Sequence, residues 1–154
     1  MQRMPVHEIA AMRSLPFSNP PDHFNRRQIA LFGAPARVLV VDDSRPNAEA
    51  LVASLSIDGL EARFALSGPE ALQQLNSWLP HVFVLDINMP IHNGFAVARV
   101  LRRMLTTRDT GIIAFTALGK ADFAAAGPVV DFDAYCQKGG TQAPLLKIIN
   151  DMLT

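Results

Sequence analysis

From Arg37 onward the chain alternates short apolar runs with amphipathic stretches, and this rhythm limits its fold more than any other feature. Residues 38–41, 82–85 and 112–115 are uninterrupted apolar runs of strand length. Such runs fit strands buried on both faces, as in parallel sheets. Residues 60–66 read as a weaker strand nearer an edge, and residues 134–137 as a fifth strand. Between these lie helical stripes. Ala48, Leu51, Val52 and Leu55 recur at i, i+3, i+4 and i+7 in a helix from about Pro46, which Asp58-Gly59 closes with a turn. Ser67 and Glu70 form a capping-box pattern for a second helix, with Pro69 tolerated in its first turn. A third helix runs from about Gly94 to Met104, with Ala98, Leu101 and Leu105 on one side. Residues 121–126 read as a short helix that Gly127-Pro128 should end. The last helix shows Leu145, Ile148, Ile149 and Met152 at the same helical spacing. Five β–α repeats with short links predict an α/β doubly wound, five-stranded parallel sheet with right-handed crossovers.

Ahead of this unit, residues 1–36 hold five of the eleven prolines and show one helical hint, around residues 6–15. The division therefore falls near Pro35: an N-terminal extension or linker over 1–36, and one domain over 37–154. The extension carries Arg3, Arg13, Arg26 and Arg27 against Glu8 and Asp22. A second reading has Phe24, Ile29, Leu31 and Phe32 docking on the domain or on a partner. At 49% hydrophobic and 18% charged, with formal net charge zero, the chain reads as soluble and globular. No clustered basic face marks a nucleic-acid binder, and no apolar run approaches a membrane span. Cys136 is the only cysteine, so no internal disulfide forms. With no apolar leader segment, the expected location is cytoplasmic.

Four motifs sit at the carboxyl ends of the strand-like runs: Val-Asp-Asp at 41–43, Leu-Asp-Ile-Asn-Met-Pro at 85–90, Phe-Thr-Ala at 115–117 and Tyr-Cys-Gln-Lys at 135–138. In an open parallel sheet those ends gather along one edge, where ligands bind. Asp42, Asp43 and Asp86 would then crowd together. Taken singly, the Asp pair could be a helix N-cap and Asp86 a loop residue. Together they repel, so one is protonated or a cation is present. Hard oxygen ligands suit Mg²⁺, or Mn²⁺ in its place. There is no Cys/His cluster for zinc, and His81 and His92 are expected to face solvent. Thr116 adds a hydroxyl and Lys138 an ammonium, both suited to phosphoryl oxygens. The set fits attack by a carboxylate on a phosphoryl group.

Over residues 37–153 these motifs closely resemble the receiver domain of two-component response regulators, in family order and spacing. The resemblance implies a flavodoxin-like fold and phosphate uptake from a phosphohistidine on a histidine kinase or histidine phosphotransfer protein. It implies Asp86 as phosphoacceptor and Asp43 as a direct metal ligand. Asp42 would hold the metal directly or through water, and Asn88 would supply its backbone carbonyl. Thr116 would follow the phosphate and Lys138 would bridge to it. Tyr135 matches the family's aromatic switch, against a bland reading as a half-buried strand tyrosine with its hydroxyl in water. Two departures stand out. Gly139-Gly140 replaces the family's usual proline after the lysine, so a looser loop and a less well placed Lys138 are expected. Gly127-Pro128 is expected to shorten or distort the fourth helix, on the face many receivers use for output and dimerisation, so the usual dimer is not carried over.

With the chain ending at Thr154, straight after the last helix, the expected output is contact with a protein not yet identified, either as a single-domain regulator or as the receiver portion of a hybrid kinase or larger regulator. A phosphate-independent interaction module on the same fold is the alternative. A phosphatase with an Asp nucleophile fits less well. Such enzymes commonly place an acidic residue two positions after the nucleophile, and Asn88 cannot act as that acid.

Overall fold

The structure is a computed structural model that describes residues 21–90 and 92–154. The helical hint at 6–15 lies outside the described residues. The strands are β1 (Asp22–His23), β2 (Arg37–Val41), β3 (Glu61–Ala65), β4 (Val82–Leu85), β5 (Gly111–Thr116) and β6 (Ala134–Gln137). The helices are α1 (Arg45–Ile57), α2 (Gly68–Gln74), α3 (Gly94–Arg103), α4 (Lys120–Ala126) and α5 (Ala143–Met152).

Alternating side chains of the central strands feed two cores. Leu39 and Val41 join Phe83, Leu85 and Ile112 under α2, α3 and α4. Val38 and Val40 join Val82, Val84 and Ile113 under α1 and α5. Helices thus cover both faces, which is why these strands are apolar at every position. Each fully buried Leu or Phe contributes about 1.5–3 kcal/mol relative to exposure. The strand order is β1-β6-β5-β4-β2-β3, with β2 to β6 mutually parallel. The winding direction reverses between β2 and β4, which opens a crevice beyond their carboxyl ends.

The expected sheet of five strands gains a sixth, because β1 pairs antiparallel with the outer edge of β6. An uncovered edge strand presents unpaired backbone N–H and C=O groups, and two residues of β1 satisfy some of them. Phe24 and Ile29 also pack on the domain, whereas Phe32 is 96% exposed.

Two further expectations are corrected. Leu105 is 81% exposed and lies beyond α3 rather than on its buried side. The helix stops at Arg103 because Met104 turns to an extended conformation and the Thr107 hydroxyl caps the Leu101 carbonyl at 2.7 Å. His81 does not simply face solvent: its Nδ1 accepts the Arg37 backbone N–H at 2.9 Å. His92 is exposed. Gly127 ends α4 after seven residues, as its sequence implies.

Candidate functional site

Asp42 and Asp43 follow β2 directly, and neither caps the helix beyond them. Ser44 is the N-cap of α1, its hydroxyl accepting the Asn47 N–H at 3.4 Å. The two carboxylates are thereby left for other work. Asp42 is buried; its Oδ1 accepts the Ser44 N–H at 2.9 Å and its Oδ2 meets Lys138 Nζ at 2.6 Å. Asp43 is exposed at the mouth of the crevice.

Asp86 follows β4, and its Oδ1 accepts the Ile87 N–H at 2.8 Å. Its Oδ2 lies 3.3 Å from Lys138 Nζ. The turn beyond Asp86 is drawn tight against α3, with the Gly94 N–H on the Ile87 carbonyl at 3.1 Å. A Cβ at Gly94 would come within 2.4 Å of the Asp86 carbonyl oxygen, so only glycine fits. The exposed Asn88 occupies this turn.

One oxygen from each of Asp42, Asp43 and Asp86 falls within a group spanning no more than 4.8 Å. Burial pushes the Asp86 carboxyl above its ordinary value; Lys138 pulls it down and Asp42 pushes it up. Three converging carboxylates facing one ammonium leave a net negative pocket of hard oxygen donors. That donor set fits a hard divalent cation.

Lys138 reaches this cluster despite the two glycines after it. Its backbone N–H donates to the Thr116 carbonyl at 2.7 Å, which ties the loop to β5. Gly139 and Gly140 adopt φ of 135° and 67°, where other residues are strained. Thr116 is buried at the end of β5, and its hydroxyl accepts the Leu118 N–H at 3.2 Å. Tyr135 is fully buried, and its hydroxyl donates to the Leu118 carbonyl at 2.6 Å rather than to water. Cys136, between Tyr135 and Lys138, is buried, which pushes its thiol up to about 11 and leaves it protonated at neutral pH.

The sequence reading brought Asp42, Asp43, Asp86 and Lys138 together at one sheet edge, but it missed three supports. Ser44 and Gly94 carried local signals, a hydroxyl before a helix and a glycine at a helix start. Phe123, stacked on Tyr135 at 5.3 Å, carried none, because its partner lies in another element.

The profile of the response regulator receiver domain matches residues 38–150. The chain belongs to this family. The response regulator PleD of Caulobacter vibrioides is 41% identical over 88 residues, which are 56% of this chain and 19% of that protein. The transcriptional regulatory protein PrrA of Mycobacterium leprae is 34% identical over 117 residues, 76% of this chain and 49% of that one. The chain therefore spans less than half the length of these curated relatives. The Vibrio cholerae chemotaxis protein CheY4 has the same fold, with a TM-score of 0.72 at 28% identity, covering 78% of this chain and 100% of that one. The response regulator TrrA of Thermotoga maritima, solved in complex with Mg²⁺ and BeF, gives 0.69 at 30% identity, covering 77% and 99%. Receiver domains are regulatory phosphoacceptors of two-component signal transduction, and they bind Mg²⁺ at an acidic cluster. No helix among the described residues is long and apolar enough to cross a membrane.

Proposed function

We propose that this receiver domain accepts a phosphoryl group on Asp86 from a phosphohistidine of a histidine kinase or phosphotransfer protein. The observation that carries this reading is Lys138 Nζ set between Asp42, at 2.6 Å, and Asp86, at 3.3 Å, beside the three-carboxylate cluster. A carboxylate oxygen of Asp86 forms the new bond to phosphorus as the bond to the donor imidazole nitrogen breaks. The imidazole keeps that electron pair. Asp42, Asp43, Asp86 and the Asn88 backbone carbonyl would hold Mg²⁺, or Mn²⁺, whose charge would offset that on the phosphoryl oxygens.

Lys138 pairs with one phosphoryl oxygen, exchanging part of its contact with the carboxylates for it. The Thr116 hydroxyl donates to another. Asn88, exposed at the rim, governs the approach of the water that later hydrolyses the aspartyl phosphate. Tyr135 responds to Thr116 through Leu118, so phosphorylation changes a protein-binding surface by shifting populations between two packings. The alternative, phosphate-independent binding, drew its support from a loosened Lys138 loop and an altered fourth helix, and α4 is indeed short at seven residues. Placement of Nζ beside Asp86 favours the phosphoacceptor reading instead.

Intact mass after incubation with a small acyl phosphate and Mg²⁺ tests the proposal. A gain of one phosphoryl group is expected, lost without Mg²⁺ and lost in Asp86→Asn. A folded protein that binds Mg²⁺ yet gains no mass would return the weight to phosphate-independent binding.

A further inference from the structure

The two edges of the sheet differ. At β6, residues 22–29 run outside the strand as a strap, with Asp22 and His23 pairing with Tyr135 and Ala134. At the opposite edge, no strand among the described residues pairs with the outer side of β3. The β2–β3 ladder opens with the Glu61 N–H on the Ala36 carbonyl at 2.9 Å and closes with the Asp42 N–H on the Ala65 carbonyl at 3.1 Å. Along such a ladder only alternate residues of a strand bond to a given neighbour. Glu61, Arg63 and Ala65 therefore bond inward to β2, and the backbone groups of Ala62 and Phe64 face out.

Part of that outer row is already satisfied within the chain. Gln74 Nε2 donates to the Phe64 carbonyl at 2.8 Å, and the Leu60 N–H donates to the Leu55 carbonyl at 3.2 Å. The Ala62 N–H and carbonyl, the Phe64 N–H and the Leu60 carbonyl stay open. The side chains alternate in the same way. Leu60, Ala62 and Phe64 pack toward the core under α1 and α5. Glu61 and Arg63 are exposed on the other face, where the Arg63 guanidinium lies 4.6 Å over the Trp78 ring. Neither charge forms an ion pair among the described residues.

Charges on an edge strand ordinarily keep other strands away. Here their order makes the strand complementary to itself. Laid antiparallel on a second copy with Ala62 opposite Ala62, Leu60-Glu61-Ala62-Arg63-Phe64 sets each Glu61 opposite the other copy's Arg63. The same register sets each Leu60 opposite the other copy's Phe64. Slipping one copy by two residues sets Glu61 against Glu61 or Arg63 against Arg63, according to direction. Directly opposed like charges destabilise a strand pair and unlike charges stabilise it, so one register is selected.

We propose that the outer edge of β3 is an interface with a second copy of this chain, the two edges joining antiparallel about a two-fold axis at Ala62 into one continuous sheet. The two Ala62 residues exchange N–H to carbonyl bonds. On either side, the Phe64 N–H of one copy donates to the Leu60 carbonyl of the other. The other two groups at those positions, the Leu60 N–H and the Phe64 carbonyl, are the ones each copy already satisfies internally. Two Glu61–Arg63 pairs flank the axis on one face and the Leu60 and Phe64 side chains on the other. Because β3 runs parallel to β2 and β4, antiparallel joining points the carboxyl edges of the two sheets in opposite directions. The two acidic clusters therefore stay apart, and the interface does not rest on the phosphoacceptor reading of Asp86.

Sedimentation of the full chain from about 5 µM to about 1 mM tests this. A monomer–dimer equilibrium is expected, with a dissociation constant on the order of 0.1 mM for so small an interface. Glu61→Arg and Arg63→Glu each oppose like charges twice across the axis, and each is expected to weaken the dimer about 10-fold or more. Both positions are exposed, so the reversals spare the core. The double variant Glu61→Arg/Arg63→Glu restores unlike pairs and is expected to return to within about threefold of the parent. An equimolar mixture of the two single variants is expected to form a heterodimer that neither forms with itself. A parent that stays monomeric throughout, a dimer indifferent to the single reversals, or a double variant and a mixture that do not recover association each overturn the interface.

Discussion

The Gly94 Cα and the His81 imidazole each hold a position that a single substitution tests. Gly94 lets α3 start against the turn that follows Asp86. In Gly94→Ala the new methyl meets the Asp86 carbonyl at 2.4 Å and Ile87 Cδ1 at 2.8 Å, so the turn must move. A loss of about 1–3 kcal/mol in urea denaturation is expected, together with slower phosphate gain from acyl phosphate. His81 gives a pH dependence. Burial first, and then the Arg37 charge, hold its imidazole below the ordinary value of 6.5, with Glu61 opposing. The neutral ring is the form that accepts the Arg37 N–H. Its folded value is depressed, so its contribution is complete above the unfolded value and is lost as pH falls through the folded one. The urea midpoint should therefore drop as pH falls through the ordinary value of 6.5 and on below it, and the drop should be smaller in His81→Asn, whose amide oxygen accepts the same N–H at any pH. An equal drop in both proteins would place the effect elsewhere. Lys138 was visible in the sequence as a late lysine. Its place beside the carboxylates was legible too, but not its firm placement ahead of two glycines, because that depends on the backbone bond from its own N–H to Thr116.

Elements whose apolar pattern is complete within one segment were legible. β4 buries all four of its residues and β2 and β5 all but one each, α5 buries the stripe its spacing marks, and α1 buries its stripe except the half-buried Val52. Boundaries set by distant partners were not legible. β1 has two residues and no periodicity, and it is a strand only by its pairing with β6. The end of α3 depends on Thr107 and on Arg102, whose guanidinium bonds the Thr110, Arg108 and Asp131 carbonyls. Asp133 joins these pieces. Its carboxylate accepts from Asn25, Arg27, Arg102 and the Ile112 N–H at 2.6–2.8 Å, tying strap, α3 and β5 together. Asp133→Ala would strand Arg102, whose side chain is 14% exposed, without its partner. A cost of about 3 kcal/mol is expected in chemical denaturation. Arg27→Ala, at a side chain 28% exposed, should cost about 1 kcal/mol or less. Equal costs would mean that the strap, not the α3 pairing, dominates this junction.

On the scale of the whole molecule, the fold gathers Asp42, Asp43 and Asp86 by running β2 and β4 side by side and parallel. The same pairing that builds the core therefore forces like charges together, and the site works against stability until a cation or a proton arrives. This has a measurable sign. Burial raises the Asp86 carboxyl, so its ionised form is the one the fold disfavours. Without metal, Asp86→Asn should unfold at a higher temperature than the parent at neutral pH. That gap should close as pH falls through the raised Asp86 value, because protonation then relieves the parent as well. Mg²⁺ should reverse the order. At about 100 times its dissociation constant, a ligand bound only by the folded state adds about 2.7 kcal/mol. The parent would gain that increment and Asp86→Asn, with one carboxylate fewer, only part of it. Thermal melts of both proteins with Mg²⁺ and with chelator check the pair of signs. If both gain equally from Mg²⁺, Asp86 is not a ligand, and the cation sits on Asp42 and Asp43 alone.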